Sequence, residues 1–314
     1  MTYENFYTSP KSETPSERAN RIGAALGTME NFRFPIAQQA EGSAAMAVVR
    51  AAGRQRTTNG FGGARIISDI GTGKTVMLEA YRDFANHDAA EGTCPVLLVT
   101  LDPKGTPDTI AVSILEALRV TRPSAGDRDR RWDRAIDELR RHQVELVIFD
   151  ELDRANRRPT MSGQVATSIR LKIMDGGICP VVFCGADAAR TVLRSVPELI
   201  QRLGGTIRLD PFNWFRQDDK ARLIGFLKRW DEALVDHKVL PALSGLSDEK
   251  VAQLLCESSG GNLRMLCKIL QNACLETLRA KRLKIERDDL KRAVLDFAVD
   301  GGFIEHNPFD RPDA

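Results

Sequence analysis

The ten residues Ile66 to Thr75, I-I-S-D-I-G-T-G-K-T, constrain this chain more than any other stretch. A short apolar run ends in a Gly-rich turn, and a Lys-Thr pair opens an amphipathic stretch beginning Val76-Met77-Leu78. That is the strand–loop–helix setting of a phosphate-binding loop. Backbone N–H groups of the turn and helix start point at phosphate, Lys74 reaches the β and γ oxygens, and the Thr75 hydroxyl ligates Mg²⁺. The cradle for ATP is expected to run through Ser68, Asp69, Ile70, Gly71, Thr72, Gly73, Lys74, Thr75 and Val76. The pattern G-x-x-x-x-G-K-[ST] is met at Gly73, Lys74 and Thr75, but Ser68 stands at the first glycine position. Serine fits there if its φ is negative, while Gly71 and Gly73 still allow close backbone approach.

A second motif, Leu146-Val147-Ile148-Phe149-Asp150-Glu151, is an apolar strand ending in two carboxylates. Asp150 is expected to hold Mg²⁺ and Glu151 to polarise the attacking water as general base. The motif follows the loop by about 75 residues with one strand-like run between them, the ordinary arrangement for an inserted strand.

Around these motifs strand-like and helix-like segments alternate, the signature of a parallel sheet with crossover helices. Apolar runs of strand length are Ala64–Ser68, Val96–Leu101, Val144–Phe149, Pro180–Cys184 and Thr206–Leu209. Helical patterns lie between them at Lys74–Asn86, Thr109–Leu118, Trp132–Arg141, Gln164–Met174 and Ala188–Leu193. Earlier, residues 19–52 read as helix with a break near Phe32-Arg33-Phe34-Pro35. After Asp210-Pro211-Phe212 the strands stop, and Arg216–Leu234, Ser247–Ser258, Leu263–Arg279 and Arg287–Val299 read as helices, with Ser247 as an N-cap. The expected organisation is a flexible segment over 1–18, an α/β nucleotide-binding domain over 19–212, a small all-helical domain over 213–300 and an extended tail over 301–314.

Lys and Arg number 45 against 43 Asp and Glu, a formal net charge of +2. No global basic field announces nucleic acid, so any such contact must come from a local patch. No apolar run approaches the ~18–20 residues that span a bilayer, and the polar N-terminus has no apolar signal core. Six cysteines without a C-x-x-C pair read as reduced thiols of a cytoplasmic protein.

The P-loop, the Asp-Glu motif, the later arginines and the helical C-terminal part together resemble an AAA+ ATPase, with a five-stranded parallel sheet followed by a helical lid. Within that superfamily the chain resembles the TniB/TnsC/MuB group of DNA-transposition regulators. The resemblance is carried by Pro197-Glu198-Leu199-Ile200-Gln201-Arg202, by Leu209-Asp210-Pro211-Phe212 and by Gly260-Gly261-Asn262-Leu263-Arg264. It covers roughly residues 30 to 300.

The resemblance implies that Arg202 is an arginine finger completing the site of a neighbouring subunit, with Arg194 and Arg208 as substitutes. It also implies that Arg264 is the sensor of the helical domain. The fourth strand ends Val182-Phe183-Cys184-Gly185-Ala186, where the family often has Asn, Thr or Ser, and this departure points to slow hydrolysis. Lys104 and Thr106, after the second strand, are the implied contacts to double-stranded DNA. Arg154, Arg157 and Arg158 are candidates for a subunit or DNA contact. The run from Arg128 to Arg134 carries interleaved aspartates and reads as a solvated helix start. Phe34 and Pro35 are candidates to pack the adenine, and Asn307-Pro308-Phe309 is either a docking peptide or an ordered end.

The implied function is an ATP-dependent assembly of copies of the chain on DNA that selects a target, recruits a transposase and a target-selection partner, and disassembles on hydrolysis. Two alternatives stand beside it. One is a replication-initiator type of AAA+ ATPase, and the other a non-hydrolysing nucleotide-gated scaffold.

Overall fold

A computed structural model describes residues 14–32, 37–54, 60–157 and 159–311. Phe34, Pro35 and Arg158 therefore lie outside the described residues. Two compact units emerge: Ala37–Asp210, and the described residues of 1–36 together with those of 211–314.

Helix α1 (Pro15–Glu30) belongs to the second unit, and the first unit begins with α2 (Ala37–Arg54), followed by β1 (Gly63–Ile67), α3 (Lys74–Asn86), β2 (Val96–Thr100), α4 (Pro107–Ala117) and α5 (Arg128–Arg141). Then come β3 (Leu146–Asp150), a 3-10 turn (Leu152–Arg157), α6 (Pro159–Ile169) continuing as a π turn (Arg170–Met174), β4 (Val181–Gly185), α7 (Ala188–Arg194), α8 (Pro197–Ile200) and β5 (Leu203–Ile207). The five strands form one parallel sheet in the order β2-β3-β4-β1-β5. Residues of β3 and β4 are fully buried along their length, as helices on both faces require. One face carries Val99, Val147, Phe149, Val181 and Phe183; the other carries Ile66, Ile148, Val182 and Cys184 against Leu78 of α3.

The expected strands all exist, with shifted ends. β5 begins at Leu203 rather than Thr206, because Leu203 already pairs with Gly63 of β1 and a bulge at Gly204 and Gly205 leads to the Arg65–Thr206 pair. α5 begins at Arg128, capped by the Asp127 side chain accepting from the Arg130 N–H at 3.0 Å. Its basic run is engaged locally: Arg128 pairs with Asp108 at 3.2 Å, and Arg134 donates to the carbonyls of Thr121, Arg122 and Ala125.

The second unit holds α1 (Pro15–Glu30), α9 (Gln217–Asp236), α10 (Glu249–Ser259), α11 (Leu263–Arg279) and α12 (Arg287–Val294), which continues as a π turn (Leu295–Val299) before a 3-10 turn (Pro308–Asp310). Three expectations are corrected here. Residues 14–18 are not a flexible lead-in: Thr14 and Glu17 form a reciprocal capping box that starts α1. α1 does not belong with the sheet, because Ala25 and Met29 pack among Leu266, Ile269 and Leu270 of α11. The N-cap of α10 is Asp248, not Ser247, since the Asp248 carboxylate accepts from Lys250 and Val251. The tail is corrected as well. Instead of being extended, it turns at Pro308–Asp310 with Phe309 only 2% exposed.

Candidate functional site

The loop between β1 and α3 has the conformation its sequence requires. Gly71 and Gly73 have φ of 86° and 89°, in the left-handed region open to glycine. Ser68 is not among the positive-φ residues. Its hydroxyl does something glycine could not: it donates to the Leu209 carbonyl and accepts from the Leu209 N–H at 2.8 Å. The start of the loop is thereby tied to the chain leaving β5. Gln39 of α2 adds a second tether, donating to the Gly73 carbonyl at 3.3 Å.

Lys74 folds back over the loop and donates to the carbonyls of Ser68 and Asp69, at 2.8 and 2.5 Å. Burial pushes its ammonium below the ordinary lysine value, while Cys184, Asp150, Asp153 and Asp69 pull it back. The next residue, Thr75, donates its hydroxyl to Asp150 Oδ2 at 3.0 Å. Asp150 is 3% exposed, and its other oxygen accepts the Glu151 N–H at 2.8 Å. The two sequence motifs therefore meet. A hydroxyl and a carboxylate side by side are hard oxygen donors, the set that suits Mg²⁺. Among the described residues no cluster of three or more His, Cys, Asp or Glu could hold a metal, so further ligands would have to come from phosphate and water.

Glu151 follows the strand with φ of 58°, a conformation that costs a non-glycine residue about 1–3 kcal/mol. Its carboxylate is ion-paired to Arg154, whose guanidinium also donates to the Leu101 carbonyl at the end of β2. Arg157 reaches the Pro103 carbonyl at 3.4 Å. Gly105 packs on the backbone of Arg154 and Ala155, with φ of 56° and no room for a Cβ. The loop carrying Lys104 and Thr106 is thus interlocked with the turn that follows Glu151. Lys104 itself is exposed, and its N–H caps on Asp102 at 2.7 Å.

Two members of the site escape sequence reasoning. Cys184, near the end of β4, is held well above the ordinary thiol range by burial and by the nearby Asp150 carboxylate. Asp153 accepts the Ala186 N–H at 2.9 Å and sits against Gly185, where a Cβ would lie 2.9 Å from the carboxylate and 2.8 Å from Ala189. The register of Ile66 with Cys184 is the signal that could have found the thiol.

Arg202 stands apart from this cluster. The Arg202 carbonyl accepts the Gly63 N–H, which places it beside the start of β1, the far end of that strand from the P-loop. Its guanidinium pairs with Asp175 at 2.7 Å, not with Glu198. Arg194 and Arg208 are exposed. Arg264 is exposed on the first turn of α11, in the second unit. The Gly260-Gly261 turn before it has a structural reason of its own: Gly261 lies on the Phe212 backbone, with its carbonyl accepting the Phe212 N–H at 2.9 Å.

Solved structures place this architecture. ORC2 from Aeropyrum pernix, described as ADPNP–ADP complexes, is 16% identical with a TM-score of 0.62 over 85% of this chain and 70% of that one. ORC1 from Aeropyrum pernix in complex with DNA is 15% identical with a TM-score of 0.60 over 86% of this chain and 69% of that one. Cdc6p from Pyrobaculum aerophilum is 18% identical with a TM-score of 0.53 over 93% and 70%. At these identities the likeness is one of fold, the AAA+ sheet with a helical unit. No curated protein matches the sequence. A family model described as Bacterial TniB protein matches residues 38–212, more than half the chain, including the P-loop, Asp150, Glu151 and Arg202. The chain belongs to the TniB family.

Proposed function

We propose that the protein is an ATP-dependent regulator of DNA transposition that assembles on double-stranded DNA. The meeting of Thr75 with Asp150 at 3.0 Å, beside Lys74, carries this reading. A left-handed glycine turn, a half-buried lysine and a hydroxyl–carboxylate pair at one strand end form the set that phosphate and its metal ion call for. Lys74 would exchange the Ser68 and Asp69 carbonyls for phosphate oxygens, and Thr75 and Asp150 would hold Mg²⁺. The ion would neutralise charge developing on the phosphates. Glu151 would orient and deprotonate the attacking water.

Arg202, remote from its own P-loop, is suited to act on the site of a neighbouring copy, and Arg264 is suited to report nucleotide state from the helical unit. Lys104 and Thr106 would face the duplex. Recruitment of a transposase and a target-selection partner, and disassembly on hydrolysis, complete the reading. The family and the DNA-bound state of the similar ORC1 structure support it. Free thiols fit a cytoplasmic location, and among the described residues no helix is long and apolar enough to cross a membrane.

A second reading, a nucleotide-gated scaffold that does not hydrolyse ATP, is favoured by the Glu151–Arg154 ion pair, which occupies the general base. Imaging the protein with duplex DNA under ATP, ADP or no nucleotide separates the readings when combined with turnover. ATP-dependent rings or filaments that Arg202→Ala abolishes, with DNA-stimulated hydrolysis lost in Glu151→Gln, are expected. Assembly without any turnover in the wild type would favour the scaffold, and monomers throughout would sink both.

A further inference from the structure

Away from the P-loop, a cavity of about 540 Å³ opens on the sheet face between β1, β5, α7 and α8, lined by Arg65, Arg190 and Arg194 with Leu193 and Ile200. No carboxylate lines it. Arg65 is out of place by ordinary rules. It occupies the middle of β1, in a parallel sheet whose positions are normally apolar. Thr206 on the neighbouring strand holds it, accepting from Arg65 Nε at 2.8 Å. No other partner satisfies its guanidinium among the described residues. Arg190 is anchored by Asp187 at 2.6 Å, and the Arg194 side chain makes no hydrogen bond or ion pair among the described residues.

The cavity adjoins an unpaired strand. β5 is the edge of the sheet, and among the described strands nothing pairs with its outer side. Gly204 and Gly205 on it are exposed, and a Cβ added to Gly205 would meet nothing within 4 Å. Edge N–H and C=O groups of this kind accept an added strand. Side chains of an added strand would face the cavity at every second position.

We propose that this edge and cavity together bind an extended acidic segment of a partner protein, which joins β5 as a sixth strand and seats alternate carboxylates among Arg65, Arg190 and Arg194. Guanidinium forks match carboxylates in geometry and charge. The apolar floor and the strand edge favour a peptide over a nucleic-acid backbone, whose hydrated phosphates gain nothing from Leu193 and Ile200. This inference goes beyond the ATPase reading and does not depend on it.

Fluorescence anisotropy with the full-length protein tests it, using a short fluorescein-labelled peptide alternating Glu and Val. Controls are a Gln-and-Val peptide, a backbone N-methylated Glu-and-Val peptide and a labelled DNA duplex. The Glu peptide should bind at least about tenfold more tightly than the Gln peptide, and more weakly as salt rises. Arg190→Glu and Arg65→Gln should each lower its affinity by about tenfold, with thermal unfolding of Arg190→Glu showing that the fold is kept. N-methylation, which blocks strand pairing without altering charge, should abolish binding. Equal binding of the Glu and Gln peptides, or undiminished binding by Arg190→Glu, overturns the proposal. Equal binding of the N-methylated peptide overturns strand addition. Loss of duplex affinity in Arg190→Glu with no peptide bound would assign the cavity to phosphate and overturn it too.

Discussion

Ser68 shows how far a residue's role can be read without its partners. The sequence marks it as a departure at the start of a glycine loop, and the negative φ it needs follows from the motif alone. Its bond to Leu209 does not, because that partner lies 141 residues away in sequence. Leu209 is 1% exposed, so its N–H and C=O have no water to fall back on. Ser68→Ala should therefore cost about 1–3 kcal/mol, the penalty of stranding buried polar groups. Urea unfolding would measure it, and ATP affinity should fall less than stability, because the phosphate cradle is built from backbone. The same limit applies elsewhere in the site. Lys74, Thr75, Asp150 and Glu151 were legible because each motif is local and the chemistry fixes its residue types. Cys184, Asp153 and Gln39 reach the site only through packing of separate elements, and no local pattern announces them. Arg202 was legible as a motif residue, but its pairing with Asp175 in place of Glu198 depends on how the π turn after α6 places that aspartate.

At the scale of elements, α3 and α11 run over the residues their periodicity predicts, Lys74–Asn86 and Leu263–Arg279. Strong amphipathic patterns with clear ends made them so. Ends fixed by side-chain caps were placed less well. Thr14-Pro15-Ser16-Glu17 carries the capping-box pattern within a polar stretch that reads as flexible. Ser247 and Asp248 are both cap types, so only the hydrogen bonds to Lys250 and Val251 select Asp248. The C-terminal turn is the clearest departure. Asn307 donates to the Lys291 carbonyl at 2.8 Å, while Arg287 reaches the carbonyls of Phe309 and Arg311 and lies 5.6 Å from the Phe309 ring. Arg311 pairs with Glu257 of α10 at 2.8 Å. Asn307-Pro308-Phe309 is thus an ordered end of the helical unit, and a docking role would require it to leave a buried site. Phe309→Ala should destabilise that unit by about 3–5 kcal/mol, as loss of a buried aromatic does. Unfolding followed by circular dichroism would report it, and a change below about 0.5 kcal/mol, typical of surface sites, would show that the tail is not part of the core.

For the whole molecule, alternation of strands and helices predicted the parallel sheet, but the division of the chain was hidden, because α1 precedes the sheet in sequence and packs with the helices that follow it. Deleting residues 1–32 should accordingly weaken the helical unit and spare the sheet, which differential scanning calorimetry would show as a shift in one transition only. The buried thiols offer a probe of both units at once. Burial pushes Cys179, in the sheet unit, and Cys274, in the helical unit, up to about 12 from an ordinary value of 9.0. Above pH 9 the unfolded thiols lose protons that the folded ones keep, so the folded state binds more protons and stability falls as pH rises. The fall should run from about pH 9 towards pH 12 at about 1.4 kcal/mol per pH unit for each thiol. Urea unfolding at a series of pH values would then separate the units. Cys179→Ala, less stable at neutral pH because it leaves a small cavity, should flatten the alkaline slope of the sheet transition alone, and Cys274→Ala that of the helical transition alone. If both slopes stay unchanged in the double variant, the thiols ionise alike in both states and are not sealed from water as the structure has them.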